Sequence, residues 1–193
     1  FLDIYVCNAG NSKDDNRKNE LFINNGDLTF SEKAEEYGLY DNGLTTHAAF
    51  FDYDGDGDLD AFILNNSFIP ANSLEFSNMR SVRSENWDVP EMLKGGGDKL
   101  LRNDNGIFKD VSEEAGIYGS LMAFGMGVTV GDINQDLLPD IYVSNDFYER
   151  DYLYINNGDG TFKESIKEYM GHLSLSSMGV DMADINNDGF SEI

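Results

Sequence analysis

Cysteine is almost missing from this chain. The lone Cys7 can form neither an internal disulfide nor a thiolate cage. Basic residues are scarce too. Thirteen Lys and Arg stand against 36 Asp and Glu, for a formal charge of −23. Binding a phosphate backbone needs clustered cations, so nucleic acid is excluded as a partner. Docking on an anionic membrane face is excluded for the same reason. No apolar run reaches the roughly 18 residues of a membrane-spanning helix, so no membrane insertion is expected. Proline occurs only at positions 70, 90 and 139, and histidine only at 47 and 172.

The 193 residues leave room for one domain or a large piece of one. Hydrophobic content of 40% supports a core, so the chain is not a disordered acidic tail. The acid is mostly Asp, 23 of the 36, alongside 20 Asn and 20 Gly. These residues favour turns and carry short oxygen-bearing arms. The first ten residues already read as a strand, and the last stretch stops where a strand is due. The chain is therefore expected to be an internal segment of a longer polypeptide, and its lack of a leader pattern says nothing about export.

Three motifs recur in fixed order. The first is an acidic loop: Asp52-Tyr53-Asp54-Gly55-Asp56-Gly57-Asp58-Leu59-Asp60, Asp132-Ile133-Asn134-Gln135-Asp136-Leu137-Leu138-Pro139-Asp140, and Asp184 to Glu192. Asp3 stands as the tail of a fourth copy. The second is an apolar run, an Asn/Asp-Gly turn and another apolar run, at Leu21–Phe30, Leu100–Phe108 and Leu153–Phe162. That pattern is a strong hairpin signature. The third is a strand of small residues before each acidic loop, at 46–51, 126–131 and 178–183.

Together they make a four-strand unit of about 50 residues, the period of a propeller blade. The expected fold is all-β: blades of four antiparallel strands with calcium-binding loops, part of a ring. The expected partition is a partial blade at 1–49, a blade at 50–123 with an insertion at 67–98, a blade at 124–175, and the start of another at 176–193. The insertion holds Trp87, Pro70, Pro90, Arg80 and Arg83. A smaller polar insertion covers 10–19. Helical turns are expected at Glu32–Tyr37 and Ser112–Ala115.

The acidic loops carry the chemistry. Asp52, Asp54, Asp56 and Asp60 occupy positions 1, 3, 5 and 9, and alternate residues of a tight loop converge. Unscreened, such carboxylates repel. Ca²⁺ removes that cost by accepting six to eight oxygens at about 2.3–2.6 Å. Position 7 offers its main-chain carbonyl, from Asp58, Leu138 or Phe190. The second set is Asp132, Asn134, Asp136 and Asp140, and the third is Asp184, Asn186, Asp188 and Glu192. Leu137 replaces the position-6 glycine, which predicts weaker affinity or a shifted turn. An EF-hand would carry Glu at position 12 and enter a helix. Here position 12 is Ile63 or Val143, inside a strand-forming run.

The stretch Phe124-Gly125-Met126-Gly127-Val128 followed by Gly131-Asp132-Ile133-Asn134 and Pro139-Asp140-Ile141-Tyr142-Val143 resembles an FG-GAP/VCBS repeat, the blade of integrin-α-type propellers. Leu101–Ile117 resembles the subgroup of secreted bacterial proteins related to cartilage acidic protein. The Gly-Ala-Pro of the name is missing, replaced by Asn65-Asn66-Ser67 and Ser144-Asn145-Asp146, and this weakens any transfer of integrin-like ligand binding. The resemblance implies a structural-calcium, extracellular, cell-surface or outer-membrane-associated propeller that binds a protein or glycan.

The expected function is thus a binding, adhesion or assembly module, seated with the remainder of its own ring or with other chains. Two rivals are a propeller domain of a polysaccharide-degrading or other extracellular enzyme, and a structural subunit of a surface complex. Against an enzyme stand the two isolated histidines and the lack of a nucleophile motif. Trp87, Arg80 and Arg83 read equally as a ligand-contact patch or as the anchor of the insertion. Cys7 reads as a buried free thiol and His47 as a packing residue.

Overall fold

Apolar runs with both faces buried decide the architecture. In Ala61-Phe62-Ile63-Leu64 every residue is fully buried. Side chains alternate along a strand, so such a run needs a partner layer on each side. The computed structural model describes residues 1–10, 17–67, 79–147 and 149–193. Pro70 and parts of both expected insertions, 11–16 and 68–78, lie outside the described residues.

Eleven strands among the described residues form three antiparallel sheets. The first contains β1 (Ile4–Val6), β2 (Glu20–Asn24) and β3 (Phe30–Glu32). The second contains β4 (Thr45–Phe51), β5 (Asp60–Asn65), β6 (Lys99–Asn103) and β7 (Phe108–Asp110). The third contains β8 (Gly125–Gly131), β9 (Asp140–Asn145), β10 (Tyr152–Asn156) and β11 (Phe162–Glu164). Strand order in each sheet is sequential. The all-β class, the four-strand meander and the three hairpins are as the sequence predicts. One boundary differs. β4 pairs with β5 from Thr45–Asn65 to Phe51–Asp60, so the second sheet takes in residues 45–49, expected with the first segment.

The sheets stack face to face. Ala61 and Ile63 of β5 pack with Leu21 of β2, Ala34 and Leu39. Phe62 and Leu64, on the opposite face, pack with Val128, Ile141, Val143, Tyr152 and Tyr154 of the third sheet. The outer face of the third sheet, with Tyr142, Leu153 and Ile155, meets Val180 of the C-terminal segment. β4 and β8 lie alongside one another: Thr46 Oγ1 donates to the Gly125 carbonyl (2.7 Å), and Val128 N–H donates to His47 Nδ1 (3.3 Å). Gly125 and Gly127 of β8 answer to crowding from β5 and β9. A Cβ at Gly125 would strike the Leu64 side chain, and one at Gly127 would lie 2.9 Å from Ser144 Oγ.

Two local expectations, on the segment 178–183 and on Cys7, need correction. The small-residue segment 178–183 forms a single bridge, Ala183 to Glu192, and Met178 is 72% exposed. A strand requires a paired neighbour, and here only Glu192 pairs. Residues 112–116 close as the expected single helical turn, with Ala115 N–H on the Val111 carbonyl (2.8 Å). The equivalent places after β3 and β11 hold short helices, α1 (Ala34–Tyr37) and α2 (Ile166–Tyr169). Cys7 is half-buried, and burial pushes its thiol up to about 11.

The far end of each sheet repeats a polar tie. An Asn at or just past the end of β1, β5 or β9 donates its N–H to the side chain of the residue that precedes the next strand: Asn8 to Asn19 (2.8 Å), Asn65 to Asp98 (3.2 Å), Asn145 to Asp151 (2.7 Å). Asp151 Oδ2 also accepts from the Tyr142 and Ser177 hydroxyls, both at 2.8 Å. Asp98 Oδ2 has no such donor among the described residues. Burial drives the Asp98 carboxyl up to about 8, against the opposing pull of Asn65 N–H and Arg83. Between the ordinary carboxylate range and pH 8 the folded chain holds a proton there that the unfolded chain releases. Stability from this group therefore falls as pH rises through that window, by up to about 1.4 kcal/mol per pH unit. Denaturant titrations of wild type and Asp98→Asn should diverge from about pH 5 to 8, with wild type losing ground, and run parallel above pH 8. Parallel curves throughout would refute the assignment.

Candidate metal centre

The acidic loops join the first two strands of the second and third sheets and recur at the C-terminus. In the first loop one carboxylate oxygen from each of Asp52, Asp54 and Asp60 lies within 4.8 Å of the others. That span is about twice a calcium–oxygen bond, so one hard cation can touch all three. Asp60 is fully buried. Burial raises its carboxyl to about 6, with Asp54 and Asp56 adding to the rise and the Asn103 and Tyr53 N–H groups opposing it. Burial likewise raises Asp140 in the second loop.

Three backbone N–H bonds recur in every copy. Position 6 donates to the first Asp: Gly57 to Asp52 (3.0 Å), Leu137 to Asp132 (2.9 Å), Gly189 to Asp184 (2.8 Å). Position 7 donates to the position-5 carboxylate: Asp58 to Asp56 (3.0 Å), Leu138 to Asp136 (2.9 Å), Phe190 to Asp188 (2.9 Å). Position 2 donates to position 9: Tyr53 to Asp60 (3.0 Å), Ile133 to Asp140 (2.9 Å), Ile185 to Glu192 (3.0 Å). Each carboxylate oxygen retains a further lone pair for a cation. The donor set is oxygen only, which suits a hard divalent ion.

The loops differ at position 3. Among the described residues only the first loop brings three carboxylates together. In the others an amide replaces one: Asn134 Nδ2 donates to Asp136 (2.8 Å), and Asn186 Nδ2 to Asp188 (3.0 Å) and Glu192 (2.9 Å). Asp56 and Asp58, placed with the first set by the sequence, fall outside the triplet. Asp56 stays at position 5, its Oδ1 holding the Asp58 N–H.

Residues 1–63 and 132–193, more than half of the chain, match the FG-GAP-like repeat. The chain belongs to the FG-GAP-like repeat family. Comparison with curated proteins gives no match. The two matched segments contain all three acidic loops of the FG-GAP-like repeats. The unmatched residues 64–131 hold the long insertion and the hairpin β6–β7.

Within each FG-GAP-like repeat the last acid of the loop is tied to the hairpin. Asp3 accepts from Asn24 N–H (2.8 Å), Asp60 from Asn103 N–H (2.8 Å), and Asp140 from Asn156 N–H (2.9 Å). The Asn side chain returns the bond to the carbonyl before the acid: Leu2 (3.2 Å), Leu59 (3.1 Å) and Pro139 (3.3 Å). Asp3 thus has the tying role of a position-9 acid. Asn24, Asn103 and Asn156 are the residues that sequence reasoning missed. Their place just before an Asn-Gly turn marked them as turn formers alone.

The insertion answers the question posed by Trp87. The indole is 9% exposed, packs with Leu121 and Met122, and donates Nε1–H to the Val82 carbonyl (3.0 Å). Arg80 forms a two-pronged pair with buried Glu149 (2.7 and 3.0 Å), and Arg83 donates to the Ile117 carbonyl (3.3 Å). Through these contacts the three residues anchor the insertion to its surroundings.

Leu137 does not shift its turn. It takes φ +70°, where Gly57 has +95° and Gly189 +88°, and keeps the same N–H bond. Position 4 is also left-handed, at Gly55 (+76°), Gln135 (+65°) and Asn187 (+60°). Leu137 is 90% exposed, so strain is uncompensated by packing. Leu137→Gly should stabilise the chain by roughly 0.5–1 kcal/mol in urea unfolding, after the entropy glycine loses on folding. A destabilised variant would contradict the strain reading.

Proposed function

We propose that the chain is a calcium-stabilised, extracellular β-propeller segment that acts as a binding, adhesion or assembly module without catalysis. The observation that carries this reading is the threefold recurrence of one loop geometry. Every copy repeats the same backbone bonds to its acids at positions 1, 5 and 9, and the copy with the full charge brings three carboxylates within 4.8 Å. Face-to-face stacking of sequential four-stranded meanders suits a propeller, with β4 and β8 as neighbouring inner strands. The narrower kinship with secreted proteins related to cartilage acidic protein rests on the Leu101–Ile117 motif. No helix among the described residues is long and apolar enough to cross a membrane.

Ligands of this module are a protein or a glycan, and the chain sits with the rest of its ring or with other chains of a surface assembly. In support, β5 and β9 are paired on both edges, whereas β1 pairs only with β2 among the described residues. Beside β1 runs a groove of about 860 Å³ lined by Tyr5, Cys7, His47, Ala48 and Phe50. Its largely apolar lining suits a further segment of chain. External calcium at millimolar level suits loops of modest affinity.

Calorimetric titration of chelator-treated protein with CaCl₂ tests the metal claim. Binding should raise the melting temperature, each site adding about 2.7 kcal/mol at 100 times its Kd. Asp54→Ala and Asp56→Ala should weaken the first site and reduce that rise. Absence of heat together with an unchanged melting curve under chelator would refute calcium stabilisation.

A further inference from the structure

Asn156 sits where two repeats meet. Its N–H donates to Asp140, position 9 of the second loop (2.9 Å). Its Nδ2 donates to the carbonyl of Tyr53, position 2 of the first loop and 103 residues away in sequence, at 2.9 Å. The Tyr53 N–H in turn donates to Asp60, position 9 of the first loop (3.0 Å). An unbroken series of hydrogen bonds, Asp60–Tyr53–Asn156–Asp140, therefore joins the terminal acids of two loops on different sheets. All four residues are buried, Tyr53 at 4% exposure and Asn156 at 2%, where such bonds are strongest and least replaceable by water. The Tyr53 ring adds a second contact, lying 5.9 Å from Phe162 of β11.

We propose that the first and second acidic loops bind their cations as a coupled pair, with Asn156 as the positioning residue between them. The inference rests on the calcium reading above. A cation drawn in by Asp52, Asp54 and Asp60 fixes the backbone on both sides of Tyr53: Asp60 holds the N–H of the 52–53 peptide, and Asp52 and Asp54 flank Tyr53 as ligands. The carbonyl of the following 53–54 peptide accepts from the Asn156 amide. Asn156 then presents its own N–H to Asp140 in the orientation the second loop needs. Linkage makes the effect reciprocal, so filling the second loop favours the first by the same factor. Asn103 supplies an internal control. It makes the same bonds within its own sheet, to Asp60 and to the Leu59 carbonyl, and no cross-sheet bond among the described residues.

Hydrogen-exchange mass spectrometry over a CaCl₂ titration resolves the two loops in the full chain. Asp132→Asn removes charge from the second loop yet leaves an acceptor oxygen for the Leu137 N–H. It should raise the calcium midpoint of first-loop protection at least about fivefold. Asp52→Asn should raise the second-loop midpoint by the same factor. Both factors should collapse to about one in an Asn156→Ala background and persist in Asn103→Ala. If Asn156→Ala melts below the working temperature, Asn156→Asp takes its place, since it keeps the oxygen that accepts the Gly158 N–H (2.9 Å). Midpoints indifferent to the other loop, or factors that survive loss of the Asn156 amide, would overturn the coupling while leaving calcium binding intact. Absence of any protection up to about 10 mM calcium would overturn the calcium reading and the coupling together.

Discussion

One carboxylate per repeat holds three pieces of backbone at once, and the sheet geometry follows from it. In the second and third sheets, Asp60 and Asp140 each accept one N–H from the start of their own loop and one from the hairpin Asn. Both acids are fully buried. A buried carboxylate is costly unless hydrogen-bonded, so its donors are not interchangeable with solvent. The loop, the second strand and the hairpin are thereby locked in register before any side chain on the two apolar faces is considered. Those faces then add non-directional attraction, which stacks the sheets but does not choose their register.

The same bonds answer the electrostatic problem of the loops. Clustered like charges oppose compact structure in a chain already at −23. Backbone N–H groups aimed at the carboxylates reduce this repulsion and hold the oxygens in a fixed cup. The loop is partly preorganised, so a cation that enters it completes its ordering rather than folding it from nothing. The first loop carries the larger charge and gains most from an ion. The second and third substitute an amide at position 3, with Asn134 and Asn186 donating to the carboxylate two residues on.

Much of this was legible in the chain itself. Continuous apolar runs at 61–64 and 141–143, Asn-Gly turns and phased acids specified sheets, hairpins and loops, because each follows from local backbone rules. What stayed hidden depends on partners distant in sequence. Asn19, Asp98 and Asp151 look like surface turn residues, yet each fastens the far end of a sheet. Asn156 looks like a hairpin residue, yet it reaches Tyr53 across 103 positions. Trp87 gave no sign of whether it faced solvent or Leu121. Leu137 advertised strain, but the conformation that relieves it by moving the turn would forfeit the N–H bond to Asp132. The bond prevails over the backbone preference.

The anchored insertion has a mechanical consequence. It leaves the second sheet after β5, yet its Arg80 grips Glu149 on the third, and Trp87 plugs into Leu121 and Met122 between them. Under tension, the seam between these two sheets is bridged by a strap as well as by its apolar contacts. The seam between the first and second sheets is held differently, by buried polar bonds from Asn19 Nδ2 to Thr45 Oγ1 (2.9 Å) and from Asn65 Nδ2 to Asp41 (2.8 Å). Load passing along the chain is thus carried by a strap at one seam and by short buried cross-links at the other.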